Sequence, residues 1–190
     1  MLYLASRSPR RHALLHEAGI AFQFVDVSVD ESVDAGTLPE AAVCLLAERK
    51  ARAGAQLLPP TLSGLVLGAD TLVALGDDIL GKPRDRADAR RMLGLLSGRR
   101  HRVLTGVSIL DTCSGRARTE HACTFVEMRS LSQSEIADYT DSGESDDKAG
   151  AYAIQERGDR FVTRIEGAWD NVVGLPVQLV RKLLHEVGAA

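Results

Sequence analysis

Short apolar runs alternate along this chain with stretches whose apolar residues recur every three or four positions, the pattern of strands interleaved with amphipathic helices. The first element is Leu2-Tyr3-Leu4-Ala5, a strand that leads through the polar turn Ser6-Arg7-Ser8 into a helix opening Pro9-Arg10-Arg11 and His12-Ala13-Leu14-Leu15. Ser8 suits the N-cap, Pro9 suits the first helical position because its missing N–H is not needed there, and Gly19 suits the stop. Residues 20–27 read as a second strand that runs into an acidic stretch holding Asp26, Asp30, Glu31 and Asp34. Thr37-Leu38-Pro39-Glu40 has the form of a capping box, which predicts a helix through about Ala55. Residues 65–69 read as a buried strand that ends at Asp70-Thr71; residues 72–75 continue extended, Gly76-Asp77-Asp78 turns, and residues 79–83 return. Asp85 caps a predicted helix over residues 87–96, closed by Ser97-Gly98.

Residues 101–110 and 117–129 alternate as the two strands of a long hairpin around the turn at 112–115. Ser132-Gln133-Ser134-Glu135 is a second capping box, with Gly143 ending its helix. Residues 148–155 and 161–165 read as extended, joined by a turn at 157–159, and residues 177–187 form a closing amphipathic helix after Pro176. There is no internal repeat and no low-complexity tract. Strands in both adjacent and crossover order predict an α/β protein with a mixed sheet.

Composition narrows this picture. A length of 190 residues suits one well-filled domain or two small lobes, and 45% hydrophobic with 26% charged residues is ordinary for a soluble globular protein. The formal net charge of −3 argues against general nucleic-acid binding, so a polyanion has to be met by local basic groups. Cys44, Cys113 and Cys123 are odd in number and lack C-x-x-C spacing, which reads as three reduced thiols in a cytoplasmic protein. Residues 2–5 are too short for the apolar core of a signal peptide, and no apolar run has the length to span a bilayer.

Candidate chemistry sits at a few positions. The turn after the first strand combines free backbone N–H groups, a positive helix end, Ser6, Ser8, Arg10 and Arg11, which together suit phosphate; the alternative is a solvated basic surface. Asp70 follows an apolar strand, where α/β proteins place reactive groups. A carboxylate there suits Mg²⁺ coordination or general-base work on water, and the alternative is a turn-capping Asp. Lys50, Lys82 and Lys148 are candidate phosphate cations or solvated lysines. Tyr152 and Phe161 read as core, Trp169 as packing or a surface anchor, and His101 as a surface residue at a strand start.

With these residues in view, the chain resembles the Maf family of nucleoside triphosphate pyrophosphatases, also described as septum-formation inhibitors. The resemblance runs in order along almost the whole chain. It is carried by Leu4-Ala5-Ser6-Arg7-Ser8-Pro9-Arg10-Arg11, Ala47-Glu48-Arg49-Lys50-Ala51, Gly68-Ala69-Asp70-Thr71, Leu80-Gly81-Lys82-Pro83, Leu96-Ser97-Gly98 with His101-Arg102-Val103 and Thr105-Gly106-Val107, Asp147-Lys148-Ala149-Gly150-Ala151-Tyr152-Ala153-Ile154-Gln155, and Asn171-Val172-Val173-Gly174-Leu175-Pro176. It implies a single domain over residues 1–190, built as a two-lobed α/β fold of the inosine-triphosphatase-like kind: a mixed sheet flanked by helices, with a deep cleft. It implies hydrolysis of a nucleoside triphosphate to the monophosphate and pyrophosphate with a divalent cation (Mg²⁺, Mn²⁺ or Co²⁺). Carried over by position, Asp70 is the catalytic base, Ser6, Ser8, Arg10, Arg11, Lys50 and Lys82 bind the substrate, and Glu31 joins Asp70 near the metal.

The D-K-A-G-A-Y…I-Q segment is similar to the subgroup acting on dTTP and UTP, with Arg10, Thr71 and Gln155 at the specificity positions. Two departures stand out: Ala153 and Glu156 replace two glycines usual in that subgroup, and Arg49 stands where an acidic residue is usual. The implied role is a house-cleaning hydrolase of dTTP, UTP or modified pyrimidine nucleotides. The competing readings are an N7-methylguanosine triphosphate pyrophosphatase and a nucleotide-sensing regulator of septum formation. The expected partner is the triphosphate itself, with no stable nucleic acid and no membrane; a homodimer is compatible, two-fold dimers being the commonest oligomers.

Overall fold

In the computed structural model, which describes residues 1–155 and 157–188, the opening apolar run forms β1 (Leu2–Ala5), with all four residues buried. It is followed by α1 (Pro9–Glu17), β2 (Gln23–Phe24), α2 (Pro39–Leu57), β3 (Leu65–Leu75), β4 (Asp78–Leu80), α3 (Arg86–Leu96), β5 (Arg100–Asp111), β6 (Ala117–Met128), α4 (Gln133–Asp141), β7 (Val162–Glu166), α5 (Trp169–Val173) and α6 (Val177–Gly188). Short 3₁₀ turns occupy Ala149–Ala151 and Arg157–Phe161. The seven strands run in the order β2-β1-β3-β5-β6-β7, with β4 paired to β3. β1 pairs in parallel with both β2 and β3, whereas β4 and β7 pair antiparallel with β3 and β6, so the sheet is mixed as the residue pattern predicts.

The chain divides into two compact units. The first comprises residues 1–71, 105–122 and 174–190. Its parallel strands β2-β1-β3 require crossover connections, which α1 and α2 supply. α2 lies unusually close to β3 because of Gly68: a Cβ there would come within 2.2 Å of the Ala47 carbonyl oxygen and 2.4 Å of the Ala51 nitrogen. Tyr3, Ala5, Val27 and Val66 form a buried cluster in this unit.

The second unit comprises residues 72–104 and 123–173. Met92, Leu93 and Leu96 of α3, Ile136 and Tyr139 of α4, and Phe161 share its apolar core. Tyr139 and Phe161 meet edge to face with ring centroids 5.0 Å apart. Asp85 accepts the Asp88 N–H at the start of α3, and Ser132 with Glu135 makes both halves of the capping box that opens α4, as their spacing predicts.

Six features differ from the sequence-based expectation. Residues 20–27 give only the two-residue β2, which lies at the sheet edge with Phe24 exposed; short edge strands avoid unwanted pairing. Thr37 makes no capping box: Pro39 takes the first helical position and Leu38 the N-cap in extended conformation, while the Thr37 hydroxyl donates to the Asp34 carbonyl instead. β3 does not stop at Asp70-Thr71 but runs unbroken to Leu75, so the acidic side chain sits within a strand. Residues 148–155 are not extended, because Gly150 (φ +68°) and Ala151 (φ +62°) are both left-handed. His101 is buried rather than on the surface. The short α5 was also not expected from the residue pattern.

Candidate active site

The first unit builds its site on the face of β3 that meets α2. Side chains two apart on a strand share a face, so Asp70 points to the same side as Gly68. On α2, Ala47, Lys50 and Ala51 share the helix face against which Gly68 packs. Lys50 is thereby brought to Asp70, and its Nζ donates to Asp70 Oδ1 at 2.5 Å and to Glu31 Oε1 at 2.7 Å. Lys50 and Asp70 are buried (9% and 7% exposed), so their charges are held in a poorly solvated place where an ion pair is strong and an unpaired charge costly.

Glu31 reaches this pair from the irregular acidic stretch. Arg49 donates to the backbone carbonyls on either side of it, Ser32 at 2.6 Å and Asp30 at 3.2 Å. Arg49, one of the departures noted in the sequence, therefore holds the backbone that presents Glu31.

The turn after β1 supplies the cations. Ser8 is the N-cap of α1 with Pro9 behind it, yet its hydroxyl makes no capping bond; its N–H donates instead to Ser6 Oγ at 3.3 Å. His12 Nε2 donates to the Ser6 carbonyl at 2.8 Å and steadies the same turn. Arg11 is buried, and each of its nitrogens donates to the protein: Nε to the Gly174 carbonyl at 2.8 Å, Nη1 to Ser6 Oγ at 3.0 Å and Nη2 to Thr71 Oγ1 at 3.1 Å. Burial lowers the pKa of its guanidinium, Asp70 pulls it upward, Arg10 adds to the lowering and Glu31 opposes it. These four charged groups therefore share one field. Arg10 is half-buried on the first turn of α1.

Thr71 Oγ1 also lies 3.0 Å from Thr105 Oγ1 and 3.4 Å from the Gly174 carbonyl. Thr105 and Gly174 belong to motifs visible in the sequence, but no role for either could be read there. Their positions follow from the strand order, which sets β5 beside β3, and from the turn that precedes α6.

Among the described residues, no group of three or more His, Cys, Asp or Glu is placed to hold a metal ion. Asp70 and Glu31 are two hard oxygen donors, a set that suits Mg²⁺ bound together with substrate phosphates rather than in an all-protein cage.

Lys82, Lys148 and Gln155 belong to the second unit. Lys82 is exposed on the loop after β4, and the preceding Gly81 carbonyl accepts the Gly150 N–H at 3.0 Å. Gln155 is exposed at the end of the segment that begins at Asp147. Asp147 (φ +59°) and Ala151 (φ +62°) are left-handed without being glycine, a strain of about 1–2 kcal/mol each. Gly150 is needed here because a Cβ would lie 2.9 Å from Val73 Cγ2.

Two buried contacts hold the segment: Tyr152 OH with His101 Nε2 at 2.7 Å, and the Ala153 N–H donating to Tyr139 OH at 3.2 Å. Burial pushes the His101 imidazole down to about 4, against the weaker opposing effect of the Arg99 carbonyl, and raises the Tyr152 phenol. Asn171 is buried too, its Nδ2 donating to the Val103 carbonyl at 2.9 Å and to Thr124 Oγ1 at 3.0 Å. Glu156, the second of the two glycine replacements, lies outside the described residues.

Residues 1–187 match the family described as Maf-like protein. The chain belongs to the Maf family. Among its Maf relatives, a protein of Vibrio cholerae is 47% identical over 185 residues, covering 97% of this chain and 97% of that protein. One of Desulfitobacterium hafniense is 46% identical over 191 residues (99% of this chain, 86% of that protein), and one of Bdellovibrio bacteriovorus is 44% identical over 187 residues (97% of each). All three are named dTTP/UTP pyrophosphatase. Among solved structures, the Ham1 protein of Staphylococcus aureus gives a TM-score of 0.44 at 14% identity, covering 67% of this chain and 71% of that one. No helix among the described residues is long and apolar enough to cross a membrane.

Proposed function

We propose that this Maf protein is a hydrolase that cleaves dTTP and UTP between the α and β phosphates, releasing the monophosphate and pyrophosphate. The observation that carries this reading is the buried Asp70 carboxylate, held by Lys50 and joined by Glu31 beside the cationic turn at the start of α1. Its relatives with nearly full-length similarity carry the corresponding name.

In this reading the N-terminus of α1 with Ser6, Ser8 and Arg10 receives the phosphates, and Arg11 adds its charge from below through the two N–H groups its protein acceptors leave unused. Lys50 holds the Asp70 carboxylate in one orientation and balances its charge. Asp70 accepts a proton from the water that attacks the α-phosphorus, and the bond from that phosphorus to the bridging oxygen breaks as pyrophosphate leaves. Asp70 and Glu31 would hold a divalent cation, Mg²⁺, Mn²⁺ or Co²⁺, which when bound neutralises charge on the triphosphate. Lys82 is a further phosphate cation of the reading. Arg10, Thr71 and Gln155 set the choice of base, Gln155 because an amide offers both a donor and an acceptor to a pyrimidine edge. The reading places the enzyme in the cytoplasm, as a single domain.

The test is to incubate the purified protein with canonical and modified triphosphates in the presence of each cation and to measure pyrophosphate. Cleavage of dTTP and UTP well above ATP and GTP is expected. N7-methylguanosine triphosphate ranking first would overturn the choice of base, and no pyrophosphate from any triphosphate would overturn the activity.

A further inference from the structure

The geometry points to the His101–Tyr152 pair as a positioning device that fixes the arm carrying Gln155 and so sets the preference for a pyrimidine base. This rests on the reading of the protein as a dTTP and UTP pyrophosphatase and adds two residues that no part of that reading assigns.

The segment from Asp147 to Gln155 has no regular partner strand, yet it is anchored from three separate elements. The Gly81 carbonyl, after β4, accepts from the Gly150 N–H at 3.0 Å; His101, on β5, bonds the Tyr152 hydroxyl at 2.7 Å; Tyr139, on α4, accepts from the Ala153 N–H at 3.2 Å. Between the first and second anchors the backbone is left-handed at Gly150 and Ala151. A left-handed alanine persists only where its surroundings over-determine it, and such strain gathers where a segment must be presented in one way. The Gly150 bond fixes the upstream arm with Lys148. The tyrosine hydroxyl is the last side-chain anchor of the downstream arm and, with the adjoining Ala153 N–H bond to Tyr139, fixes that arm before Gln155 emerges into solvent three positions on.

Packing alone does not account for the pair. The two rings meet edge to face with centroids 5.5 Å apart, an arrangement phenylalanine would reproduce, whereas the 2.7 Å bond needs the hydroxyl and the imidazole together. His101 and Tyr152 are 2% and 6% exposed, so water does not replace either partner when one is removed.

Tyr152→Phe tests this with the full-length protein. The ratio of kcat/KM for dTTP over that for ATP is expected to fall about five- to thirty-fold, the range for losing one buried hydrogen bond, chiefly through a raised KM for dTTP. Inhibition by inorganic tripolyphosphate, which lacks a base, is expected to stay within about two-fold of the parent, and His101→Gln, which keeps an acceptor for the hydroxyl, to retain more of the ratio than His101→Ala. An unchanged ratio in Tyr152→Phe, or a loss of tripolyphosphate inhibition in step with it, overturns the inference while the parent's own dTTP hydrolysis still stands. If Tyr152→Phe does not fold, the two His101 variants decide the matter by the same ratio. A parent that releases no pyrophosphate from dTTP overturns the underlying reading, and this inference with it.

Discussion

Asp70→Asn separates catalysis from stability at the centre of the site. The substitution keeps the size of the side chain and one oxygen that still accepts from Lys50, but it removes the charge. The Lys50 bond, 2.5 Å long in the parent, changes from charge-assisted to neutral on its acceptor side, a loss of about 1–1.5 kcal/mol. Lys50 retains Glu31 at 2.7 Å, so its ammonium is not left without a counter-charge, and burying an amide in place of a carboxylate lessens the desolvation of the folded state. The free energy of unfolding is therefore expected to drop by less than about 2 kcal/mol.

In the proposed function Asp70 is the general base, and its loss is expected to lower kcat by about 10²- to 10⁴-fold. Pyrophosphate release from dTTP gives the rate, urea titration gives the stability, and equilibrium dTTP binding gives occupancy. The expected result is a folded, nucleotide-binding protein that scarcely turns over. A variant within ten-fold of the parent kcat would remove Asp70 from the catalytic role, and a rate lost only in step with unfolding would make it a structural carboxylate.

Three further outcomes follow from the same geometry. Arg11→Ala leaves the Gly174 carbonyl, Ser6 and Thr71 without their buried donor and is expected to destabilise the protein by about 3 kcal/mol in urea titration, where a change under about 1 kcal/mol would mean that Arg11 is not the tie it looks to be. Lys82→Ala removes an exposed cation and is expected to raise the KM for dTTP about ten-fold with little change in urea midpoint; an unchanged KM would take Lys82 out of the phosphate site. His101 titrates near 4 when folded and near 6.5 when unfolded, so the unfolded chain takes up the proton first: its contribution is complete above about pH 6.5 and is lost as pH falls towards 4, about 2 kcal/mol of it by pH 5. Comparing urea titrations at pH 7.5 and 5 should show this component in the parent and not in His101→Gln, and equal pH dependence in the two would refute it.

Local signals in the sequence predicted elements wherever one interaction decides the outcome. Asp85 and Ser132-Glu135 cap their helices as read, because a cap depends on a few adjacent residues. Residues 20–27 failed for a non-local reason: apolar content favours a strand, but a strand at the sheet edge extends only as far as its single neighbour pairs with it. The Thr37 box failed because Pro39 fixed the helix start one residue later. His101 reads as surface from its place at a strand start, yet alternation at the start of β5 turns it inward between Arg100 and Arg102. Residues 148–155 read as extended but are not, because local residue types do not reveal a left-handed Ala151, which tertiary anchors impose.

The contact at the heart of the site was within reach of the sequence, although it was not drawn from it. Gly68 and Asp70 are two apart on a strand, and Ala47, Lys50 and Ala51 are three and four apart on a helix, so each set occupies one face. If the small residues of the two sets pack together, the lysine and the aspartate must meet, since both project from the same seam. The structure has that seam, with the Ala47 carbonyl and Ala51 nitrogen too close to Gly68 for any Cβ and Lys50 on Asp70. What the spacing leaves open is the third member. Glu31 sits on irregular backbone whose course depends on Arg49 donating to its flanking carbonyls, a contact with no periodicity to announce it. The lysine-paired Asp70 carboxylate is therefore the predictable part of this site, while the second carboxylate, Glu31, depends on a loop that only the folded chain reveals.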